Sequence, residues 1–252
     1  MHSGPRVICW SCEKSIAAAT GATCASCGAI LPPDPTADHF AVLGLPCAYA
    51  VDMEVAEARF RELSRRLHPD RFATADPRAR RASLERSVQL NQAWRTIRDP
   101  ASRAEYVLHL AGYDIGAEEG ASRPGQHAGA GPGRPREPTP GAAPRARLTV
   151  SPALLGEILE LREDLADARA GGDHERVQVL SRDVHGRLQA AETRVAAALG
   201  DVPAERPAPS VAMEASAREL IAIRYYRRFL DEVAAHEEAA AAAAQPGETS
   251  HA

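Results

Sequence analysis

The sequence predicts an all-α protein that is built from more than one module. Its 252 residues exceed the usual length of a single domain. Hydrophobic residues make up 44% of the chain but aromatic residues only 4%, and the good helix formers Ala, Leu, Arg and Glu dominate. Apolar residues recur at helical spacing in several segments, whereas long runs of β-branched residues are missing.

The N-terminal segment is predicted to bind a metal ion. Cys9 and Cys12 form one CxxC pair, Cys24 and Cys27 form another, and eleven residues separate them. Two such pairs can surround one tetrahedral ion with four thiolates, and a closed site of this kind is structural rather than catalytic. Zinc is the predicted ion, with an iron–sulfur cluster or redox-active cysteine pairs as the alternatives. The prolines at 32, 33 and 35 end this segment.

A helix with a single apolar stripe is predicted next in the chain. Its stripe consists of Ala56, Phe60, Leu63 and Leu67, at helical spacing. The helix is expected to end just before Pro69, because the residue that precedes a proline disfavours helical geometry.

Two further helices follow in this part of the chain. The first is predicted from about Pro77 to Asp99-Pro100, and the second ends near Gly112. The buried face of the first is predicted to carry Leu90, Ala93, Trp94 and Ile97. Cys47, which has no partner at metal spacing, is expected to be a small buried thiol.

Three amphipathic helices are predicted in the C-terminal third, and together they would form a three-helix bundle. Ser151 and Pro152 are suited to cap and begin the first helix, and Gly171-Gly172 end it. The predicted core stripes are Leu154, Ile158, Leu161 and Leu165, then Val177, Leu180, Val184, Leu188, Ala191, Val195 and Leu199, and finally Leu220, Ile223, Leu230 and Val233.

The tripeptide His68-Pro69-Asp70 lies between two amphipathic helices. By itself it is a weak motif, since a turn that merely ends a helix has the same composition. It follows a basic stretch that contains Arg59, Arg61, Arg65 and Arg66. This position favours an exposed binding turn.

Four segments together match the pattern of a known family. They are Phe40-Ala-Val-Leu-Gly-Leu-Pro46, His68-Pro-Asp-Arg-Phe72, Leu90-Asn-Gln-Ala-Trp94 and Asp99-Pro-Ala-Ser-Arg-Ala-Glu-Tyr106. In these segments the chain resembles the HscB family of iron–sulfur co-chaperones, which joins a J domain to a C-terminal helical bundle. The resemblance covers about residues 38 to 238. It implies that the chain is not an enzyme but activates the ATPase of a DnaK/HscA-type chaperone, with the His-Pro-Asp turn and the four arginines as the chaperone-binding residues.

The resemblance also implies a second partner, an IscU-type iron–sulfur scaffold protein. Leu155, Leu159, Glu160 and Glu163 match the segment with which the family grips this scaffold, and Phe229 matches an aromatic position on the last helix. We expect Leu155, Leu159 and Phe229 to be partly exposed in the free protein. Alternatively, the leucines only widen the core face of the bundle.

One position departs from the family pattern. Gly156 stands where bacterial relatives carry a large apolar contact residue, so affinity for the scaffold is expected to be lower or differently distributed.

The predicted organisation has five segments. They are a tetracysteine zinc-binding module at 1–34, a J domain (an antiparallel helical hairpin plus short helices) at 35–115, a flexible Gly/Pro/Ala-rich linker at 116–148, a three-helix scaffold-binding domain at 149–238 and a disordered tail at 239–252.

Charge and composition argue against other classes. A net charge of -4 speaks against nucleic-acid or membrane-surface binding, and no apolar run approaches the ~20 residues that span a bilayer. The phosphate-loop pattern is absent, so nucleotide is expected on the partner. Paired cysteines suit a reducing cytoplasm. Three alternatives stay open, namely a J protein for unfolded clients, a zinc-ribbon nucleic-acid binder that uses the arginines of residues 59–81, and a CxxC oxidoreductase.

Overall fold

The computed structural model describes residues 6–17, 21–115, 146–200 and 210–244. The chain divides into two compact units, residues 1–103 and 104–252. The first unit contains both the cysteine segment and the predicted helical hairpin. The division falls inside the helix Pro100–Leu110. The five-segment organisation stays a prediction.

The first unit begins with a short antiparallel hairpin and continues as helices. Strand β1 pairs with β2 in the register Val7 to Ile16. The elements are β1 (Arg6–Ile8), β2 (Ser15–Ala17), α1 (His39–Leu43), α2 (Met53–Leu67), a 3-10 turn (Pro69–Phe72) and α3 (Pro77–Arg98).

Local chemistry sets the limits of α2 and α3. The Asp52 carboxylate accepts hydrogen bonds from the first backbone N–H groups of α2, and α2 ends one residue before His68-Pro69. Asp76 caps α3 in the same way, and Pro77 occupies its first position. Both helix ends confirm the predicted limits.

Helices α2 and α3 run antiparallel and pack through one face. The hydroxyl groups of Ser83 and Ser87, near the start of α3, donate to the carbonyl oxygen of Leu67 at the end of α2. Further along, the rings of Phe60 and Trp94 stack with centroids 4.9 Å apart. The residues of both predicted stripes are buried or half-buried.

The second unit holds the bundle. Helix α4 (Pro100–Leu110) crosses the division between the units, and β3 (Tyr113–Ile115) pairs in parallel with β4 (Ala146–Leu148). Three longer helices follow, namely α5 (Pro152–Ala170), α6 (His174–Gly200) and α7 (Val211–Ala244). Ser151 caps α5, with Pro152 at its first position as predicted.

Ion pairs and hydrogen bonds between helices fix the register of the bundle. Arg187 on α6 pairs with Glu157 on α5, and the Tyr226 hydroxyl on α7 donates to the same carboxylate. The buried cluster that these helices share consists of Ile158, Leu161, Leu165, Ala168, Val177, Leu180, Val184, Tyr226, Phe229 and Val233. The predicted three-helix core is confirmed.

The structure differs from the sequence analysis at three places. The strands β1 to β4 were not predicted, because three-residue strands carry too little periodicity to detect. Residues 146–148, assigned to the linker, form β4, and the remainder of that linker, 116–145, lies outside the described residues. Helix α7 continues to Ala244, six residues beyond the predicted end at 238, because alanine is the best helix former. The rest of the predicted tail, 245–252, lies outside the described residues.

Within the described ranges, no helix combines the length and the apolar character that crossing a bilayer requires.

Candidate functional site

The structure brings the four predicted cysteines together. Their sulfur atoms all lie within 4.8 Å of one another. The Cys9 and Cys27 sulfurs are 3.7 Å apart, and those of Cys12 and Cys24 are 3.8 Å apart. A tetrahedral ion with sulfur ligands at about 2.3 Å places the sulfurs about 3.8 Å from each other. The donor set therefore fits one tetrahedral metal ion.

Each CxxC pair forms the same kind of turn. The backbone N–H of Glu13 donates to the Cys9 carbonyl, and that of Gly28 donates to the Cys24 carbonyl. Both residues adopt the left-handed conformation, with φ of 59° at Glu13 and 74° at Gly28. Glycine adopts this conformation without strain, so Gly28 lets the backbone turn around the second cysteine pair.

Their surroundings shift the pKa values of two of the thiols, Cys12 and Cys24, in opposite directions. The backbone N–H groups of Cys27 and Ser26 stabilise the Cys24 thiolate and lower the pKa of Cys24 to about 6. At Cys12 the backbone N–H of Lys14 lowers the pKa, but burial and the neighbouring thiols outweigh it and raise the pKa to about 11. Four sulfurs this close repel as thiolates unless a cation neutralises them.

Cys47 stands apart from this cluster. Its side chain is half-buried, and burial raises the pKa of the thiol. It has the character of a packing residue.

The His68-Pro69-Asp70 turn is exposed at the end of the α2–α3 hairpin. The side chains of His68 and Asp70 are 54% and 90% exposed. Pro69 begins the 3-10 turn, and the backbone N–H of Asp70 donates to Nδ1 of His68 over 3.3 Å. Because the Leu67 carbonyl before the turn is bound by α3, the turn has a defined shape with two polar side chains facing solvent.

The four arginines predicted to bind the chaperone are exposed but not equivalent. Three of them pair with carboxylates of their own helix, whereas no ion pair involves Arg65 among the described residues. The pairs are Arg61 with Glu57 and both Arg59 and Arg66 with Glu62.

An exposed row on α5 matches most of the predicted scaffold-binding residues. Leu155 and Leu159 are 47% and 52% exposed, one turn apart, and Glu160 and Glu163 beside them are exposed. Ile158 and Leu161, by contrast, are buried in the core of the bundle. The expectation that the two leucines are exposed is confirmed.

The expectation that Phe229 is partly exposed is wrong. Its side chain is only 1% exposed and belongs to the buried cluster of the bundle. Helix α7 contacts both α5 and α6 and also β3, so it buries a wider stripe than a helix with one neighbour. Phe229 is therefore a core residue in the free protein.

Gly156 lies within the exposed row of α5. A Cβ added there meets no atom within 4 Å, so the missing side chain leaves open space on the surface. The departure from the family pattern at this position therefore leaves a gap in the exposed row.

A groove beside this row was not predicted. It lies between α5 and α6, has a volume of about 290 Å³, and includes Glu160, Asp164 and the exposed Val179 in its lining. Only the packing of the two helices creates it, so no pattern in either helix signals it.

Fold and sites together define a J-type co-chaperone, with a His-Pro-Asp turn on a helical hairpin and a separate helical bundle. A family model described as the HscB C-terminal oligomerisation domain matches residues 150–234. The co-chaperone protein HscB homologue of Ralstonia nicotianae is 34% identical over 152 residues, which cover 60% of this chain and 71% of that protein. The chain belongs to the HscB family of co-chaperones.

Two solved structures share the fold. Human co-chaperone protein HscB matches with a TM-score of 0.69 at 22% identity, over 92% of this chain and 98% of that one. Chaperone HscB from Vibrio cholerae matches with a TM-score of 0.58 at 24% identity, over 80% and 98%.

Proposed function

We propose that this chain stimulates the ATPase of a DnaK/HscA-type chaperone and delivers an IscU-type scaffold to it for iron–sulfur cluster transfer. The observation that carries the proposal is the His68-Pro69-Asp70 turn, which is exposed and has a defined backbone conformation, in a chain of the HscB family. The other sites supply affinity, partner choice and stability.

The turn is suited to act on a partner rather than on a substrate. The imidazole of His68 and the carboxylate of Asp70 are exposed. The Pro69 ring and the bonds from Ser83 and Ser87 to the Leu67 carbonyl limit the movement of the backbone between them. Binding therefore requires little ordering of the turn. Hydrolysis takes place on the chaperone, which holds the nucleotide.

Positive charge next to the turn favours an acidic surface on the chaperone. Arg65 lies on the last turn of α2 and Arg71 follows Asp70, and among the described residues neither has an ion-pair partner. These two guanidinium groups can pair with partner carboxylates without first leaving a partner in this chain. The field of the whole basic face increases the association rate, and that increase falls with salt.

The α5 row supports scaffold binding. Leu155 and Leu159 present apolar surface to solvent, and Glu160 and Glu163 lie at its rim. An apolar centre with a charged rim is typical of protein interfaces. Phe229 is left out of the proposed contact because it has no accessible surface to contribute.

The metal module is proposed to hold Zn²⁺ as a structural ion. Four cysteine sulfurs form a soft, closed donor set, which suits zinc and leaves no open position for a substrate. The cytoplasmic location expected from the cysteines stays a prediction.

The decisive experiment is a single-turnover ATPase assay with the partner chaperone and His68→Gln. We expect the variant to lose stimulation and to keep its fold and its scaffold affinity, because His68 is exposed and contributes to neither core. His174→Gln, an exposed histidine at the start of α6, is the matched control. Stimulation by His68→Gln at the wild-type level would contradict the proposal.

A competition assay separates this function from that of a general J protein. Folded scaffold should bind the full chain in the presence of excess unfolded client peptide, since the α5 row is a formed surface. Displacement of the scaffold by the peptide would favour the general-client function.

A further inference from the structure

A set of hydrogen bonds joins the cysteine module to α3. The Arg86 guanidinium donates from Nε to the Leu31 carbonyl over 2.7 Å and from Nη2 to the Pro32 carbonyl over 2.9 Å. One turn later, the Gln89 amide donates to the Asp34 carbonyl over 3.1 Å. Three bonds from one face of α3 thus hold the end of the module.

The Arg86 side chain is partly withdrawn from water. Burial lowers the pKa of Arg86, and the nearby Asp34 carboxylate acts in the opposite direction. A guanidinium in such a place is costly unless its N–H groups are bonded. Its observed acceptors are two backbone carbonyls, which have the required position only while residues 30–34 are folded.

The second pair of cysteines determines where those carbonyls lie. The Leu31 N–H donates to the Ala22 carbonyl, and the Cys24 N–H donates to the Ala29 carbonyl. These bonds close the loop that carries Cys24 and Cys27 directly before Leu31.

The first pair of cysteines is bonded to the residue directly before Leu31. The indole N–H of Trp10, between Cys9 and Cys12, donates to the Ile30 carbonyl over 2.7 Å. Ile30 itself is 1% exposed. Both CxxC pairs therefore set the position of the backbone carbonyls that Arg86 binds.

The same stretch of α3 also holds the His-Pro-Asp turn. Ser83 and Ser87, on either side of Arg86 in sequence, bind the carbonyl of Leu67, the residue before His68. Ser83 is fully buried. Helix α3 between 83 and 89 is thus bonded to the cysteine module through Arg86 and Gln89 and to the turn through its serines.

We propose that Arg86 is a positioning residue that couples metal loading of the cysteine module to the stability of α3 and of the His68-Pro69-Asp70 turn. A loaded module presents the Leu31 and Pro32 carbonyls. Loss of the metal removes them, leaves a half-buried guanidinium without acceptors, and loosens α3 where it holds the turn. The inference rests on the proposed metal binding but not on the identity of any partner.

The test is hydrogen exchange of the full-length chain loaded with Zn²⁺, before and after a strong chelator, with zinc content measured on the same samples. In the wild type, chelation should speed exchange of the α3 amides near Arg86 and of residues 68–72 by roughly tenfold, because local opening becomes easier. Arg86→Leu should retain its zinc, exchange faster than wild type when loaded, and respond little to chelation.

Arg95→Leu is the matched control, since Arg95 is an exposed arginine on the same helix and should behave as wild type. Gln89→Ala is a milder second variant, expected to show a smaller change in the same direction even if Arg86→Leu does not fold. A chain that binds zinc but shows no change in α3 on chelation would overturn the coupling alone. A chain that binds no zinc would overturn the metal assignment and the coupling together.

Discussion

Truncation of Leu155 and Leu159 to alanine should weaken scaffold binding without unfolding the bundle. The two side chains are 47% and 52% exposed in the free protein, so about half of each is still available for burial. Full burial of a leucine is favourable by about 1.5–3 kcal/mol relative to full exposure. Burying the exposed half against a partner therefore contributes about 1 kcal/mol per leucine.

The double variant should lose about 2 kcal/mol of binding free energy, or roughly 30-fold in Kd, if the two contributions add. Calorimetric titration with purified scaffold measures this loss, and circular dichroism checks the helices. Leu84→Ala on α3 is the matched control, because Leu84 is an equally exposed leucine that lies outside the bundle and its docking row.

Phe229→Ala should lower the stability of the bundle rather than weaken scaffold binding directly. Removal of a fully buried phenylalanine from a bundle core costs about 3–5 kcal/mol of folding free energy. We therefore expect a large decrease in the thermal midpoint, and any effect on scaffold affinity should follow from unfolding. An experiment that truncates all three residues at once would confuse the two effects.

Filling the gap at Gly156 provides a gain of function. Gly156→Leu has open space for its side chain and would extend the apolar row, so affinity should increase. Gly186→Leu on α6, where the space is equally open, should leave affinity unchanged. Unaltered affinity in both the leucine double variant and Gly156→Leu would refute the α5 docking surface.

Two further predictions concern charge and pH. Arg65→Ala and Arg61→Ala should slow association with the chaperone to a similar extent in stopped-flow binding, since each removes one positive charge. Arg65→Ala should increase the dissociation rate roughly twofold to fivefold more than Arg61→Ala, because Arg61 is already paired with a carboxylate of its own helix. Equal dissociation rates would count against this distinction. Burial and the hydrogen bond to Glu157 raise the pKa of Tyr226 to about 12, so the unfolded state loses the phenol proton first and the free energy of unfolding should fall as pH rises from about 10 through 12. Chemical denaturation of the Tyr226→Phe variant between about pH 10 and 12 should show a smaller dependence of the free energy of unfolding on pH than the wild type shows. The same dependence in both proteins would contradict the role given to Tyr226.

Helix limits, the cysteine quartet and the exposed leucines could all be predicted from the sequence. Pro69 and Pro77 act on the backbone within a few residues, so their effect is local. The CxxC spacing predicts a shared ligand sphere for a similar reason. Helical periodicity rotates Leu155 and Leu159 away from the core stripe of α5, and together with the family resemblance it predicted the exposure that the structure shows.

Other features depended on where elements meet. Periodicity gives the apolar face of α7 but not the number of neighbours it packs against, and those neighbours bury Phe229. The sequence places four arginines on α2, but side-chain geometry determines that three are paired and Arg65 is not.

Contacts over long sequence separations were decided by tertiary structure alone. Strand β4 pairs with β3 across residues 116–145, and Arg86 reaches carbonyls more than fifty residues earlier in the chain. Backbone carbonyls and three-residue strands carry no residue-type signature, so no local pattern predicts their partners. Packing brings these groups together, and burial then makes their hydrogen bonds necessary.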